Sequence, residues 1–560
     1  MAHLGTVDMA SGRGEAATGR RRAATGPRLK LRSLLVAGSM VVAFAAVAGQ
    51  LVWLAARGGA PRLASITAPS STSFARPDIV DRNGRLLATD VEVHSLYADP
   101  MLVIDRDEVV EKLAGVLPDL DRATLRAGLA EPGRRFVWVR RGLTPALAQT
   151  VHNLGLPGLA FRTELKRVYT AGLLAGHALG SVDVDNKGLS GIERAIDDMG
   201  AAEAVVGATL TDRAPIVASI DIGVQHALED ELAVAVGRLG AKGAAGVVLD
   251  VESGEVLASA SLPRVDPFDP AAAQDPDRLD KISAGTYELG SIFKTLTVAM
   301  ALEGGSVGLD SVVDVTEPLQ AGRFTITDLH PAGRPLSVAE VFVRSSNVGA
   351  AQLALSAGTE RQRDFLGKLG LLAPMATEAG PVAAPQLPRH WDRAETITIS
   401  YGHGIAVAPL QFAAAAAAVV NGGTRITPTF LKRATEMAGE RIVSEVTSAR
   451  IRDLMRRNVV EPGATGRRAD AEGYRVGGKT GTAELAVAGG YSKKAVLSSF
   501  LAAFPMEAPR YLTLVLLFEP KPTPETGGGV TAGVTAAPVT ASLVGRIAPL
   551  LGVAPRAAGL

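Results

Sequence analysis

The chain has 560 residues, 47% hydrophobic and 21% charged, which is typical of a folded protein with two or three domains and excludes global disorder. Its 58 basic and 57 acidic residues give a net charge of +1, so the charge balance indicates no nucleic-acid partner. The absence of cysteine excludes disulfide scaffolds, thiol nucleophiles and thiolate metal sites. The eight histidines form no HxH or HxxxH pair, so we expect no metal and no cofactor.

An uncharged apolar stretch near the N-terminus indicates a membrane anchor. It covers residues 33–56, and a helix of these 24 residues, at about 1.5 Å per residue, could cross a hydrocarbon core of roughly 30 Å. Residues 1–32 carry seven Arg or Lys against two acidic residues, which predicts a cytoplasmic N-terminus. The alternative is a cleaved signal peptide, whose apolar region is normally only about 7–15 residues. We predict a single-pass protein of the cytoplasmic (inner) membrane whose remaining domains lie outside the cytoplasm, in a periplasmic or other extracytoplasmic location.

The exported part changes in pattern along the chain. Residues 57–75 are small, polar and proline-containing, as in a linker. Mixed short strands and helices are predicted up to about residue 215, and strands alternating with Ala-rich helices follow. A hairpin is predicted at Val247–Ala260, and buried strands at Leu497–Phe504 and Tyr511–Phe518. The sequence therefore predicts an α/β (α+β) fold whose main sheet is assembled from both ends of the second domain. The predicted segments are a basic tail (1–32), a transmembrane helix (33–56), a linker (57–75), a first domain (76–215), a second domain (216–550) and a C-terminal tail (551–560).

Three short motifs carry candidate chemistry. Ser291 and Lys294 precede an apolar run predicted to be helical, which places the hydroxyl and the amine one turn apart on the same face. This pair suits a serine nucleophile whose proton is taken by an amine with a lowered pKa, beside helix-terminal N–H groups that stabilise an oxyanion. Ser345-Ser-Asn347 and Lys479-Thr-Gly-Thr482 follow. Each motif alone is typical of a cap, a turn or a strand edge, but in this order they match the SxxK, SxN and KTG motifs of penicillin-binding proteins and serine β-lactamases.

The resemblance extends over about residues 76–550. Residues 76–84 (RPDIVDRNG) resemble the RGxIxDRNG signature of class B penicillin-binding proteins, and residues 167–169 and 188–193 look like the R-x-Y-P and GxxGxE motifs of their pedestal domain. The segments LDVESGEVLASASLPRVDP, YGHGIAVAPLQF and GGYSKKAVLSSFLAAFP are similar to segments around the transpeptidase core. Pro77, Thr170 and Leu289 depart from the family pattern, which has Gly, Pro and Pro at these positions. The size and the single anchor are most similar to those of the division-specific members.

This resemblance implies a single transmembrane helix, an elongated pedestal (dimerisation-like) domain at 76–215, and a transpeptidase domain at 216–550 with an antiparallel sheet flanked by helices and a helical subdomain. It also implies a serine D,D-transpeptidase that cross-links peptidoglycan stem peptides at the division septum. The donor would end in D-Ala-D-Ala, and the expected acceptor is a diaminopimelate amine. β-Lactams would acylate the same serine, and a D,D-carboxypeptidase side activity is compatible with the mechanism.

The resemblance also implies a role for each motif residue. The expected catalytic residues are the nucleophile Ser291 and the general base Lys294, together with Ser345, which relays protons between Lys294, Lys479 and the leaving D-Ala nitrogen, and Lys479, which helps to keep Lys294 neutral. The expected substrate-binding residues are Asn347, Thr480, Gly481 and Thr482, with Asn347 on the donor amide and the KTGT segment, including Lys479, on the terminal carboxylate. The backbone N–H groups of Ser291 and Thr482 would form the oxyanion hole. Glu288 and His403, which also lie near the motifs, are interpreted as packed or capping polar residues.

Other functions are weighed against this one. A bifunctional enzyme would need a glycosyltransferase domain for which the chain has no room, and a β-lactamase would lack the pedestal. An elongation-specific class B transpeptidase shares every catalytic residue and is the nearest alternative. A catalytically silent divisome scaffold is an alternative of a different class, although a scaffold has no chemical need for all three motifs. By resemblance, the expected partners are an FtsW-type glycan polymerase and other divisome proteins.

Overall fold

The computed structural model of the chain describes residues 27–56, 73–205, 213–322, 324–434, 439–487 and 490–556. It divides into two compact units, Met1–Pro69 and Ser70–Leu560. In the first unit, helix α1 spans Pro27–Ala56 and includes the predicted transmembrane segment. None of the helices in the described ranges is both long and apolar enough to cross a membrane. Most of the predicted basic tail and linker, and the end of the C-terminal tail, lie outside the described residues.

The second unit contains both predicted domains. Its described α-helices are α2 (Arg106–Val116), α3 (Arg122–Ala130), α4 (Pro145–His152), α5 (Gly176–Leu179), α6 (Gly191–Asp198), α7 (Ile222–Leu239), α8 (Lys294–Glu303), α9 (Val338–Arg344), α10 (Asn347–Ala357), α11 (Thr359–Lys368), α12 (Arg393–Ile399), α13 (Pro409–Val420), α14 (Glu445–Val460) and α15 (Ala536–Leu550). Its described strands are β1 (Ser73–Ala75), β2 (Ile79–Val80), β3 (Leu86–Ala98), β4 (Val137–Leu143), β5 (Leu159–Tyr169), β6 (Glu203–Val205), β7 (Ile216–Val217), β8 (Gly243–Asp250), β9 (Val256–Leu262), β10 (Val312–Val313), β11 (Leu319–Ala321), β12 (Phe324–Ile326), β13 (Leu336–Ser337), β14 (Ala376–Thr377), β15 (Gly380–Pro381), β16 (Gly477–Val487), β17 (Gly490–Phe504) and β18 (Tyr511–Phe518). Short 3₁₀ turns lie at Pro270–Gln274, Pro276–Arg278, Gly290–Phe293 and Arg467–Ala469.

The first region is built around the long strand β3. Strand β5 pairs with it antiparallel along almost its whole length, while β2 and β4 pair with opposite ends of its other edge. Strand β7 pairs parallel with β2. The last strand of the first region therefore lies beside one of its first strands, just before the chain enters the second region. Helix α2 begins where the Asp105 carboxylate accepts two backbone N–H bonds, and α4 begins after Thr144 with Pro145 in its first turn. The residues that end the predicted linker, Ser73–Ala75, form β1 against β6 instead.

The pedestal motifs meet in one buried network of charges. Glu193 accepts from Arg76 Nε at 2.7 Å with one oxygen and from Arg167 Nε at 2.7 Å with the other. Asp90 accepts from Arg167 Nη1 at 3.2 Å, and Asp197 accepts from Arg76 Nη1 at 2.6 Å. The side chains of both arginines and of Glu193 are fully buried. Such charges persist in a protein interior only when paired in this way, so the three motifs fix the fold of the pedestal.

The second region is organised by a five-stranded antiparallel sheet in the order β16–β17–β18–β8–β9. The predicted hairpin is formed by β8 and β9, and the two predicted buried strands lie within β17 and β18. Because β8 and β9 come from the start of the region and the other three strands from its end, the sheet is assembled from both ends, as predicted. Helices α7 and α15 pack in the core on one face, whereas α8 and α13 belong to the larger core on the other. Every residue of α13, including Ala413–Ala418, is buried, which confirms that this run packs between elements.

Candidate active site

The predicted nucleophile lies in a tight turn at the start of α8. Residues Gly290–Phe293 form a 3₁₀ turn rather than the predicted first turn of an α-helix, and the α-helix begins at Lys294. Gly290 has φ +62°, and a Cβ there would lie 2.8 Å from the Thr482 carbonyl oxygen, so the position requires glycine. The close approach brings Ser291 beside the strand that carries the KTGT segment. Ser291 is half-buried, whereas Lys294 is fully buried.

The second motif forms the junction between α9 and α10. Ser346 is the N-cap of α10, and its hydroxyl accepts the Gly349 N–H at 2.9 Å. Ser345 adopts the left-handed conformation with φ +62°, which is unfavourable for a residue other than glycine. This conformation presents both its carbonyl oxygen and its hydroxyl to Lys294, so the backbone strain is located where it shapes the site.

The third motif lies on β16, which is one of the two edge strands of the sheet. A Cβ at Gly481 would lie 2.6 Å from the Leu289 carbonyl oxygen and 2.3 Å from Ser499 Oγ, so only glycine lets the strand approach the nucleophile turn this closely. Lys479 is fully buried, and the ring of Phe342 lies 5.9 Å from its Nζ. Thr480 Oγ1 contacts Thr465 Oγ1 at 2.8 Å.

Lys294 is held by four polar groups. Its Nζ lies 2.6 Å from the Ser345 carbonyl oxygen, 2.7 Å from Asn347 Oδ1, 3.0 Å from Ser291 Oγ and 3.1 Å from Ser345 Oγ. The carbonyl and amide oxygens can only accept hydrogen bonds. A neutral amine would therefore donate its two N–H bonds to these oxygens, which leaves its single lone pair to accept from one of the two hydroxyls. This arrangement allows the amine to take the proton of Ser291.

The burial of Lys294 favours the neutral amine. Removal from water lowers the pKa of Lys294 to about 7, while the negative charge of Asp328 opposes this effect. Burial and the nearby Lys294 also hold the pKa of Lys479 well below its usual range. At neutral pH a substantial fraction of the molecules therefore contains a neutral Lys294, as a general base requires.

Ser345 connects the two lysines. Its Oγ lies 3.1 Å from Lys294 Nζ and 2.9 Å from Lys479 Nζ. A hydroxyl can donate one proton and accept others, so it can carry a proton between two amines that do not contact each other directly. The four predicted catalytic residues are thus linked by hydrogen bonds in the order Ser291, Lys294, Ser345 and Lys479.

The predicted substrate-binding residues surround this chain of hydrogen bonds. Asn347 contacts Lys294 with its Oδ1 and donates from Nδ2 to the Thr327 carbonyl oxygen at 3.3 Å. Thr482 follows Gly481 on β16, and its Oγ1 accepts the Ala532 N–H at 3.2 Å. The structure therefore brings all three motifs together at the edge of the main sheet.

Asp328 is a residue of this site that the sequence motifs did not predict. Its carboxylate accepts from Ser346 Oγ at 2.6 Å and from the backbone N–H groups of Asn347 and Val348 at 2.5 and 3.0 Å. A carboxylate at these N–H groups stabilises the start of α10 and so fixes the SxN motif. No motif surrounds Asp328 in the sequence, and its role becomes visible only when its loop is packed against α10.

Comparison with known families matches the same two regions of the chain. Residues 71–200 match the penicillin-binding protein dimerisation domain, and residues 244–541, more than half of the chain, match the penicillin binding protein transpeptidase domain. The chain belongs to the class B penicillin-binding proteins.

The curated relatives of this class B protein share the description peptidoglycan D,D-transpeptidase. It is 41% identical over 488 residues to the probable peptidoglycan D,D-transpeptidase FtsI of Caulobacter vibrioides, a match that covers 86% of this chain and 82% of the relative. It is 33% identical over 504 residues to the probable peptidoglycan D,D-transpeptidase PenA of Neisseria meningitidis, covering 86% and 85% of the two chains. With the peptidoglycan D,D-transpeptidase FtsI of Escherichia coli it shares 29% identity over 560 residues, covering 94% and 93%.

The departures from the class B motifs lie outside the chain of hydrogen bonds. Thr170 donates its backbone N–H to the Leu87 carbonyl oxygen at 2.9 Å, a bond that the proline of the family motif could not make. Pro77 accepts from Arg167 Nη2 at 2.9 Å through its carbonyl oxygen, which any residue provides. Leu289 is fully buried beneath the nucleophile turn.

Glu288 and His403 lie on the loops that flank the nucleophile turn of this class B protein. Glu288 Oε1 accepts the Gly404 N–H at 2.9 Å, and the Gly290 N–H donates to the Gly402 carbonyl oxygen at 3.3 Å. Burial lowers the pKa of His403. These contacts hold the loop of residues 401–404 against the turn, so Glu288 acts on the position of the turn.

Proposed function

We propose that the protein is the septal peptidoglycan D,D-transpeptidase of its bacterium and that Ser291, Lys294, Ser345 and Lys479 catalyse the reaction. The observation that carries the assignment of roles is the coordination of Lys294. Both N–H bonds of its neutral amine have acceptor-only partners, so its lone pair is left for the Ser291 hydroxyl. The name shared by the similar proteins, D,D-transpeptidase, supports the reaction type.

Acylation follows from this geometry. Ser291 Oγ attacks the carbonyl carbon of the penultimate D-Ala while its proton passes to Lys294 Nζ. The oxyanion that forms accepts hydrogen bonds from the backbone N–H groups of Ser291 and Thr482. When the C–N bond breaks, the leaving D-Ala nitrogen takes a proton from Ser345 Oγ, which is reprotonated by the adjacent lysine. The products are an ester on Ser291 and free D-Ala.

Substrate recognition uses the remaining motif residues. Asn347 holds the amide of the donor stem peptide, and Lys479, Thr480, Gly481 and Thr482 hold the terminal carboxylate of the substrate. An amine of the acceptor stem, expected to be diaminopimelate, then attacks the ester and releases Ser291 as its proton returns through the lysines. A β-lactam opens on Ser291 by the same attack, but its leaving nitrogen stays tethered to the acyl group and obstructs the acceptor.

The proposal includes the location of the enzyme. The uncharged residues 33–56 and the basic residues before them support a single anchor in the inner membrane with the catalytic domain in the periplasm. Membrane embedding places Ser291 on the side where peptidoglycan is assembled. An FtsW-type glycan polymerase and other divisome proteins are proposed as partners at the septum.

The test uses the full chain in lipid with D-Ala-D-Ala stem substrates and a glycan polymerase that supplies nascent strands. We expect release of free D-Ala together with cross-linked dimers, and loss of both with Ser291→Ala. Release of D-Ala without dimers would indicate a carboxypeptidase. If the parent protein released no D-Ala and formed no dimers, the result would favour a scaffold. Depletion of the protein in its own bacterium separates the septal role from the alternative, because filaments indicate division and rounded cells indicate elongation.

A further inference from the structure

Three titratable side chains lie around the nucleophile turn but outside the four-residue chain of hydrogen bonds. Glu288 precedes the turn, His403 lies in the loop of residues 401–404, and Glu484 follows the KTGT segment on β16. Each of them is half-buried, so none of the three is closed off from solvent. We call these three residues the outer cluster, and the acylation steps described above make no use of it.

The backbone fixes His403 beside the nucleophile turn. Its two neighbours, Gly402 and Gly404, have φ +83° and +77°, and a Cβ at Gly402 would collide with the backbone of Gly290 in the turn. On the other side of the histidine, the Gly404 N–H is bound by Glu288 Oε1 at 2.9 Å. Each neighbour of His403 is therefore attached to the segment that precedes the nucleophile, and the backbone that allows this requires glycine next to the histidine.

Strand β16 brings Glu484 to the same turn. Because side chains alternate along a strand, Glu484 is on the same side of β16 as Thr482, which approaches Gly290 closely. The negative charges of Glu484 and of Glu288 both act on the imidazole of His403. The histidine is therefore within electrostatic range of two carboxylates that come from different elements of the fold.

Cross-linking requires a base in addition to Lys294. An alkyl amine is protonated in water at neutral pH, and a protonated amine has no lone pair with which to attack the ester on Ser291. When a neutral amine attacks, one of its protons passes through Lys294 to Ser291 Oγ as the ester breaks. The additional proton that makes the acceptor an ammonium ion must go to another group before the attack. Acylation by a donor peptide or by penicillin has no such requirement.

His403 has the properties that this second base needs. Burial, and to a lesser extent the charge of Lys294, lower the pKa of His403, whereas Glu288, Glu484 and a hydrogen bond with the Tyr401 backbone oppose this shift. The ring is therefore mainly neutral at pH 7 and able to accept a proton. The two carboxylates favour the approach of a cation over that of a neutral or anionic group.

We propose that His403 takes the additional proton from the ammonium group of the acceptor, which Glu288 and Glu484 attract to it. The neutral amine then attacks the carbonyl carbon of the ester, so a C–N bond forms as the bond to Ser291 Oγ breaks. Lys294 carries a second proton from the amine to Ser291 Oγ, and the protonated His403 releases its proton to water. The proposal rests on the transpeptidase function proposed above and assigns the outer cluster to its second half-reaction, with a cationic primary amine as the acceptor.

The experiment measures how the acyl-enzyme divides between an amine and water. The full chain in detergent is acylated by an N-acyl-D-alanyl thioester, and the ratio of aminolysis to hydrolysis products is followed against the acceptor concentration. D-Alanine is the cationic acceptor, and aminooxyacetate, whose aminooxy group is neutral at pH 7, is the matched acceptor that needs no base. In the parent, the ratio with D-alanine should change less than twofold from pH 8 to pH 9, because the ammonium form and the neutral His403 both stay nearly constant there.

Two variants separate proton removal from a structural role of the loop. In His403→Gln the ratio with D-alanine at pH 8 should fall at least tenfold and should then rise about tenfold from pH 8 to pH 9, because only the free amine reacts. The ratio with aminooxyacetate should change less than twofold. Glu484→Gln should raise the half-saturating concentration of D-alanine at least threefold and should not raise that of aminooxyacetate. The control His390→Gln, at an exposed position, should change none of these quantities.

Three results would overturn the proposal. The first is a ratio for D-alanine that rises tenfold from pH 8 to pH 9 in the parent, because attack by the free amine alone would explain it. The second is an equal loss with both acceptors in His403→Gln, which would assign the histidine to the structure of the loop. The third is an unchanged ratio in both variants. A parent that forms no acyl-enzyme with the thioester or with penicillin would refute the transpeptidase function itself, and the proposal with it.

Discussion

The pH dependence of acylation tests the role given to Lys294. Burial places its pKa near 7, so the neutral, basic form grows as the pH rises through this value. The neutral fraction is about 0.9 at pH 8 and about 0.01 at pH 5, so the acylation rate constant should fall about 90-fold between these values. An exposed lysine with a pKa of about 10.4 would give a rate that keeps rising tenfold per pH unit well above pH 8.

The assay is stopped-flow acylation by a β-lactam whose carboxylate stays ionised from pH 5 to 9, with the full chain in detergent. Lys294→Arg, which keeps the positive charge but cannot act as a base, should lower the rate constant by about 10²–10⁴ at pH 8. The control Lys242→Arg alters an exposed lysine paired with Glu519 and should leave the profile unchanged. A profile that is flat from pH 5 to 8, or a Lys294→Arg variant that acylates normally, would refute the reasoning.

Three other substitutions test the supports of the site and the fold. Asp328→Asn removes a negative charge that raises the pKa of Lys294, so the midpoint of the acylation pH profile should move to lower pH, and the free energy of unfolding should fall by about 2 kcal/mol. The control Asp314→Asn, in an exposed turn, should change neither quantity. A pH midpoint that does not move in Asp328→Asn would contradict the electrostatic link between Asp328 and Lys294. Glu193→Gln removes the carboxylate charge that pairs with two buried arginines and should lower the free energy of unfolding in urea by about 3–5 kcal/mol. The control Glu131→Gln, in an exposed ion pair, should lower it by less than about 1 kcal/mol. Equal losses in the two variants would contradict the role of the buried network. Ala416→Leu adds volume to the tightly packed surroundings of α13 and should lower the free energy of unfolding by about 1–3 kcal/mol. An unchanged midpoint of unfolding would show that the packing around α13 can accommodate the larger side chain.

Those parts of the fold that depend on local pattern could be predicted from the sequence. The hairpin of β8 and β9 and the strands β17 and β18 follow from continuous apolar runs and turn residues. Helix α13 follows from its alanines. By contrast, the 3₁₀ turn at Ser291 depends on the close approach of Gly290 to Thr482, and no local pattern encodes that contact.

The residues of the candidate site divide in the same way. The three motifs could be recognised because their residues lie close together within each motif and occur in a family order. Asp328 could not be recognised, because it lies outside the three motifs and contacts the SxN motif only when its loop packs against α10. The pairing of Arg76 and Arg167 with Glu193 could not be predicted from the sequence either, because each pedestal motif contains only one of these three residues.

The most direct test of the account is to locate the covalent adduct of a labelled penicillin on the full chain. After acylation, digestion and mass spectrometry, we expect one adduct, on Ser291, and no adduct in the Ser291→Ala variant when its unfolding midpoint matches that of the parent. An adduct on another residue, or its absence from a folded, monodisperse parent, would contradict the claim that Ser291 is the nucleophile of an active transpeptidase.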